Sequence, residues 1–286
     1  MTVETGPQEG DWMLKKIAII LAAIAAASIS VQAQTCTRGS LKTMIADYFK
    51  AVKTHDLSAL PTAADLRITE NGQVMKPGEG FLKSGGAVHL ERDLIDTQRC
   101  GTVTEAVTDE TINGAQTLAV MAARLKVEHG KVSEIETIVT REAEEKRFYN
   151  PKVLLETKDQ DWTTPLPPGK RLTREYMNKG ANEYLDDFSK NPPAEPPFAA
   201  ECDRWEGGLH TTPKHNCSAK GLVATHTHRR FPVTDLELGE TAGFINFNQS
   251  LPDVHIFKYN ADGKIYLINA VFGGRQPGLI WPDEKK

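Results

Sequence analysis

The sequence lacks a long hydrophobic run, lacks a block of basic residues, and contains only four cysteines in 286 residues. Its N-terminal apolar stretch, residues 17–29, is shorter than the ~20 residues that a membrane-spanning helix needs. Basic side chains are scattered and the formal net charge is −4, which argues against a nucleic-acid partner. A composition of 40% hydrophobic and 25% charged residues indicates a folded globular chain rather than a disordered or fibrous one.

Several signatures of enzyme classes are missing as well. The chain has no nucleophile elbow, no Walker phosphate-binding loop and no glycine set of a dinucleotide-binding fold. No CxxC or HxxxH spacing supports a zinc site. The sequence therefore predicts neither a cofactor nor a metal centre.

The N-terminal region has the pattern of an export signal. Two lysines precede the apolar stretch, and small residues occupy the two positions that a signal peptidase inspects before a cut after Ala33. We predict a signal peptide over residues 1–33, with residues 1–12 as an over-extension before a true start at Met13. A retained signal anchor is the alternative. The mature protein is expected in the periplasm or outside the cell, and not in a membrane.

Four cysteines after an export signal indicate disulfides, because an exported protein meets an oxidising environment. Four cysteines allow three connectivities. We favour Cys36–Cys100 and Cys202–Cys217, since crossed pairs would tie separate domains together.

The two halves of the chain share landmarks in the same order. Tyr48 precedes Glu70 by 22 positions, and Tyr184 precedes Glu206 by the same 22. A polar strand ending in aspartate and a Gly-Lys turn then follow in both halves, at Asp96 and Asp235 and at Gly130 and Gly263. Such a recurrence is best explained by an internal duplication.

The sequence of each half predicts one helix followed by a set of strands. Apolar residues recur at helical spacing in residues 40–60 and 173–188, and alternating strand patterns joined by short turns follow each helix. The predicted fold class is α+β, with two tandem cone-shaped units that each wrap a curved antiparallel sheet around an N-terminal helix. The predicted boundaries are 34–145 for the first cone, 146–171 for a linker, 172–275 for the second cone and 276–286 for a tail.

The segments ADYFKAVKTHDLSAL, DLRITENGQVMKPGEG and RLKVEHGKVSEIETIVTRE resemble the nuclear-transport-factor-2-like superfamily, which includes SnoaL-like polyketide cyclases and ketosteroid isomerases. The second half resembles exported two-repeat members of that superfamily. The resemblance implies a pocket in the mouth of each cone, used for isomerase, cyclase, dehydratase, hydrolase or lyase chemistry or for binding alone. Some relatives release formaldehyde from lignin-derived aromatic dimers. The acid and histidine sets of the cyclases and isomerases cannot be matched here, so catalytic residues do not transfer.

The second half carries more proton-active side chains than the first. Strand alternation places His226, His228 and Arg230 on one face. If that face and the face of His255 both look into the cone, they converge near Tyr184 on the helix. The catalytic candidates are therefore His228, Arg230, His255, Tyr184 and Glu206, with Arg204 and His226 as further candidates. An exposed polar face is the alternative, and a metal held by the alternating histidines is a weaker one.

The equivalent candidates in the first half are Tyr48, Glu70, His89 and Asp93, with Glu91 on the same strand face. That face could equally be solvated. Glu70 and Glu206 could be turn acids that accept backbone N–H bonds, and a buried helical tyrosine is as often a packing residue as a proton donor.

These patterns favour an exported, cofactor-independent lyase or isomerase that uses general acid–base chemistry on a small aromatic or polyketide-like molecule. On this hypothesis, replacing His228 or Arg230 abolishes turnover without unfolding the protein. The alternative is a non-catalytic binding or assembly module, in which the fused cones pack through their sheets like a dimer. A homo-oligomer is compatible with either hypothesis.

Overall fold

The computed structural model describes Met1, residues 36–193 and residues 195–276. The predicted signal peptide and nearly all of the predicted tail lie outside these residues. No helix in the described ranges is both long enough and apolar enough to cross a membrane.

The first unit is a helix followed by six strands. Helix α1 spans Arg38–Thr54 and buries Leu41, Ile45 and Tyr48. Thr37 caps it by accepting the Ser40 N–H. The remaining elements are β1 (Thr62–Glu70), β2 (Gln73–Met75), helix α2 (Phe81–Ser84), β3 (Gly85–Asp96), β4 (Gly101–Ile112), β5 (Ala115–Glu128) and β6 (Lys131–Thr140).

The second unit repeats this order after a short linker helix, α3 (Pro151–Leu155). Helix α4 spans Arg174–Asp186, and Thr173 caps it by accepting the Tyr176 N–H. The strands are β7 (Phe198–Glu206), β8 (Leu209–His210), β9 (His226–Asp235), β10 (Glu240–Phe247), β11 (Leu251–Tyr259) and β12 (Ile265–Phe272).

The two sheets have the same topology. Their strand orders are β2-β1-β6-β5-β4-β3 and β8-β7-β12-β11-β10-β9. Neighbouring strands are antiparallel except for one parallel pair in each unit, β1 with β6 and β7 with β12. In each unit the helix packs its apolar face against the sheet to form a separate core. The predicted fold class, α+β with two tandem cones, is confirmed.

Both predicted disulfides are present, Cys36–Cys100 and Cys202–Cys217. The first ties the start of α1 to the turn between β3 and β4, and the second closes the loop that follows β8. Two disulfides are compatible with an oxidising compartment.

The outer faces of the two sheets pack on each other. Leu94, Val103 and Ile138 from the first unit share an apolar cluster with Phe244 and Val254 from the second. Two reciprocal ion pairs flank this cluster. Arg174 donates to Asp96 at 2.6 and 2.8 Å, and Arg38 donates to Asp235 at 2.5 and 2.6 Å. The duplicated units therefore contact each other with the reciprocity of a two-fold symmetric dimer.

The linker packs along both units. Arg92 in the first unit donates to the Thr157 backbone and hydroxyl oxygens at 2.7 Å. In the second unit, Gly207 accepts the Asn150 N–H at 2.7 Å. Gly207 has a φ of 56°, and a Cβ there would lie 1.6 Å from the carbonyl oxygen of Phe148. This position therefore requires glycine, and the close contact brings the ring of Phe148 to the mouth of the second cone.

Candidate functional site

A cavity of about 500 Å³ opens at the mouth of the second cone, within the range of ~300–1,000 Å³ that is usual for small-molecule sites. Its walls come from the linker, the end of α4, strand β7, the loop after β8 and the turn between β10 and β11. Its lining includes three phenylalanine rings, the imidazole ring of His210 and five charged side chains, namely Phe148, Phe188 and Phe247, and Glu145, Arg147, Arg204, Glu206 and Arg275.

Arg204 and Glu206 are the charged residues deepest in this cavity. They are exposed by only 4% and 8%, and alternate positions on β7 place both on the cone side of the sheet. Arg204 Nη1 donates to the Tyr184 hydroxyl at 3.1 Å, and Nε donates to Thr211 Oγ1 at 3.0 Å. Glu206 lies 3.8 Å from Arg204 Nε and makes no hydrogen bond to a described residue. Its carboxyl group is therefore available to a ligand.

Behind Arg204 a chain of polar groups runs into the core. The Tyr184 hydroxyl lies 3.4 Å from His255 Nε2, and His255 Nδ1 lies 3.1 Å from Asp253 Oδ2. Asp253 and His255 are fully buried, and among the described residues neither Asp253 carboxyl oxygen nor His255 Nδ1 has a partner with hydrogen-bond geometry, so their 3.1 Å approach is a close contact rather than a formed hydrogen bond. Burial raises the pKa of Asp253 well above its ordinary value and lowers the pKa of His255 to about 3. Burial also raises the pKa of Tyr184, against the opposing effect of Arg204.

The first cone has no equivalent of this chain. Glu206 pairs with Ala270, which pairs with His255, whereas Glu70 pairs with Thr137, which pairs with Ala123. Ala123 therefore stands where the second unit has His255. The same register places Met121 at the position of Asp253 and Ile68 at the position of Arg204. All three belong to the apolar core that fills the first cone.

Glu70, the counterpart of Glu206, is fully engaged by its own unit. It accepts the Phe81 N–H at 2.5 Å and lies 2.8 Å from Arg141 Nη1. The Tyr48 hydroxyl is buried and has no hydrogen-bond partner among the residues that the structure describes. Burial, followed by the Glu70 charge, raises the pKa of Tyr48. Glu70 thus has the contacts of a turn acid, and the helix turn that supplies Phe81 has no counterpart among the described residues between β8 and β9.

The expected convergence of His228 and Arg230 on Tyr184 is wrong. The pairing of β9 with β10 is irregular between Thr227 and Arg230, and His228 adopts a φ of 53°. This bulge breaks the two-residue alternation, so His228 is exposed. Arg230 reaches across to the first unit, where Nη2 lies 2.6 Å from Glu136 Oε1.

Of the two histidines on that strand, His226 turns inward. Its ring packs between Phe188 and Phe247, with centroid distances of 4.7 and 5.0 Å. Burial, followed by the charge of His255, lowers the pKa of His226 to about 3. The bulge separates His226 from His228, and the described residues contain no group of three side chains placed to hold a metal.

The candidates on β3 lie away from the second cavity. His89 Nε2 is 2.8 Å from Asp109, and Asp93 accepts from Thr104 at 2.7 Å. Partial desolvation, and then the neighbouring Asp93, raise the pKa of Glu91 to about 7. Two further cavities are present. One of about 740 Å³ lies along the linker, and one of about 370 Å³ lies beside Glu70. The larger is a surface groove in which no buried charged groups converge, so its size does not make it the better candidate.

One family model matches residues 34–139 and 170–272, more than half of the chain. The chain belongs to the DUF8021 family, a domain of unknown function. The two matched segments of this DUF8021 protein contain the helix and the sheet of each unit. No curated protein matches the chain.

The following solved structures each match less than half of the DUF8021 protein. A Catenulispora acidiphila protein with a ketosteroid isomerase-like fold, solved with trimethylamine, is 16% identical with a TM-score of 0.26 and covers 33% of this chain and 82% of its own. IdmH from Streptomyces antibioticus, a proposed polyketide cyclase, is 17% identical with a TM-score of 0.25 and covers 35% and 91%. AclR from Streptomyces galilaeus, a proposed hydroxylase, is 15% identical with a TM-score of 0.30 and covers 46% and 92%. These TM-scores are too low to support an argument about the DUF8021 site.

Asp253 is the buried group that sequence reasoning missed. It lies two residues before His255 on the same strand, so strict alternation along residues 251–259 places both on one face. That signal was readable in the sequence. Arg204 was among the candidates that the sequence offered, but its contact with Tyr184 depends on how β7 pairs with β12, which the sequence does not display.

Asp253 and His255 predict a defined pH dependence for the stability of the DUF8021 protein. In the folded protein the pKa of Asp253 is raised well above 3.8, and the pKa of His255 is lowered from 6.5 to about 3. The folded pair therefore holds one proton across the neutral range. In the unfolded chain the same two side chains together hold two protons below pH 3.8, one proton between pH 3.8 and 6.5, and none above pH 6.5. We expect the pair to contribute no pH dependence within that window and to lose stability on both sides, by about 1.4 kcal/mol per pH unit where one proton separates the states.

Asp253→Asn tests this prediction. Its amide carries no proton to lose, so the loss above pH 6.5 should disappear while His255 remains neutral. Denaturant unfolding of both proteins at about pH 7, 8 and 9 measures the difference. Parallel stability profiles for wild type and Asp253→Asn would contradict a protonated Asp253.

Proposed function

We propose that the second unit binds a small aromatic or polyketide-like molecule and isomerises or cleaves it by general acid–base chemistry. The observation that carries this proposal is the pairing of Glu206, whose carboxyl group is open to the cavity, with the buried guanidinium of Arg204. The first unit has a filled core and acts as the structural partner of the second.

Each side chain has a role that follows from its contacts. Glu206 takes a proton from the bound molecule, since it is the cavity acid without a hydrogen bond to a described residue. Arg204 stabilises the negative charge that then develops on the molecule. Tyr184 and His255 hold the Arg204 guanidinium in place from behind.

We also propose that the protein is exported to the periplasm or secreted. Its two disulfides support this location, because they persist in oxidising compartments.

A panel of lignin-derived aromatic dimers, lactones and polyketide fragments tests the proposal. Purified protein is incubated with each compound, and products, including released formaldehyde, are identified by mass spectrometry. We expect at least one compound to be converted, and the same conversion by His228→Ala, because His228 is exposed on the β9 bulge.

The binding module is the second candidate, favoured by the dimer-like packing of the units. A compound that raises the thermal midpoint but is recovered unchanged, at every pH tested, would favour this module over the enzyme.

A further inference from the structure

The buried guanidinium of Arg204 has an unused donor group. Nε and Nη1 are engaged by Thr211 and Tyr184, whereas Nη2 makes no hydrogen bond to a described residue. The nearest acid, Glu206, is 3.8 Å from Nε, which is beyond hydrogen-bond distance. The guanidinium lines the cavity, so an anionic ligand group placed at Nη2 would accept a charge-assisted hydrogen bond, which is among the stronger kinds in proteins.

The rim of the cavity adds positive charge. Arg275 donates to the Ser250 hydroxyl at 2.9 Å, and Arg147 lies over the Phe148 ring at 5.0 Å. Neither guanidinium has a carboxylate within salt-bridge distance among the described residues. Three arginines therefore face two acids, Glu145 and Glu206, and the cavity as a whole favours an anion.

The same cavity offers an aromatic wall directly beside Arg204. The Arg204 guanidinium lies 5.7 Å from the Phe188 ring centroid, and Phe188 and Phe247 meet edge to face at 6.2 Å. Leu251 extends this apolar surface. A flat ring suits such walls, and one buried guanidinium donor suits a monoanion better than a phosphate, which needs several donors.

We propose that the second cone binds an aromatic carboxylate, with the carboxylate on Arg204 Nη2 and the ring against Phe188 and Phe247. This inference rests on the proposed site and adds the chemical class of its ligand. The arginines at the rim attract the anion to the mouth of the cavity, while Glu206 remains beside the bound ring to act on a proton.

Three matched probes test the proposal by isothermal titration calorimetry with the full chain. They are 4-hydroxycinnamate, its neutral amide, and 3-cyclohexylpropanoate, which keeps the charge and removes the aromatic ring. We expect 4-hydroxycinnamate to bind at least about tenfold more tightly than either of the others, and the affinity of both carboxylates, but not that of the amide, to fall as salt is raised. Equal affinity of the acid and the amide would overturn the proposal.

Variants at the rim avoid the risk of unfolding that a change of buried Arg204 carries. Arg275→Gln and Arg147→Gln alter exposed side chains and should weaken the acid about three- to tenfold, with no effect on the amide. Arg99→Gln, exposed on a turn of the first unit, is the matched control and should bind like wild type. Rim variants that bind the acid as tightly as Arg99→Gln would also overturn the proposal.

The result separates this inference from the proposed function. If 4-hydroxycinnamate binds as expected and no panel compound is converted, the ligand class holds and the enzyme proposal fails. If a neutral aromatic compound is converted while the acid does not bind, the enzyme proposal holds and the ligand class is wrong.

Discussion

Glu206→Gln is expected to lower the turnover of any converted panel compound by about 10²–10⁴-fold, the usual contribution of a general base. The amide keeps the size of the side chain but cannot accept a proton at the pH of the assay. Glu206 makes no hydrogen bond to a described residue and lies only at long range from Arg204, so the variant should fold normally. The rate constant kcat, measured by mass spectrometry at saturating compound, gives the effect.

Glu70→Gln is the matched control, because Glu70 holds the equivalent position in the first unit. Its carboxyl group accepts the Phe81 N–H and pairs with Arg141, so we expect lower stability with kcat nearly unchanged. Should Glu206→Gln retain wild-type kcat, or should Glu70→Gln lose activity while still folded, the assignment of the base to the second unit would be wrong.

Asp96→Ala is expected to lower the free energy of unfolding by about 3–5 kcal/mol, the effect of breaking a buried ion pair from one side. Asp96 is 1% exposed and receives both Nη groups of Arg174 from the other unit. It also accepts the Thr234 N–H and two N–H groups of its own turn. The substitution leaves a buried guanidinium and several donors without partners. Denaturant unfolding of the oxidised protein measures the loss.

Asp235→Ala breaks the reciprocal pair and should also lower the free energy of unfolding, but by less. The Arg38 side chain is 23% exposed, so water can solvate its guanidinium when the Asp235 carboxylate is removed. The control is Lys179→Ala. It removes a helical pair with Glu183 in which Lys179 is 76% exposed, and we expect at most about 0.5 kcal/mol. An Asp96→Ala effect as small as that of Lys179→Ala would show that the reciprocal pairs do not hold the units together.

The duplication and its covalent frame could be predicted from the sequence. The equal spacing of Tyr48 to Glu70 and of Tyr184 to Glu206 is preserved because each tyrosine lies on a core-facing helix and each acid ends the first strand. The disulfides followed from cysteine number and the expectation that each unit folds separately. These features depend on local patterns, which a sequence displays directly.

The candidate site could be predicted only in part, because it depends on strand irregularity. The two-residue alternation along β9 fails at the bulge where His228 adopts a positive φ. The residue type at that position does not indicate a bulge. His255, Tyr184 and Glu206 do come together, since they lie on regular elements.

The sequence also could not show which unit keeps an open cone. That difference arises from three substitutions at equivalent positions, which replace Ile68, Met121 and Ala123 of the first unit by Arg204, Asp253 and His255 of the second. Strand register aligns them, and register is fixed by pairing rather than by any single residue.

A crystal soaked with the converted panel compound, or with 4-hydroxycinnamate, tests the central claim most directly. We predict electron density in the second cone, within hydrogen-bond distance of Arg204 and beside Glu206, and none inside the first. Density inside the first cone, or at a surface groove with the second cone empty, would contradict the account.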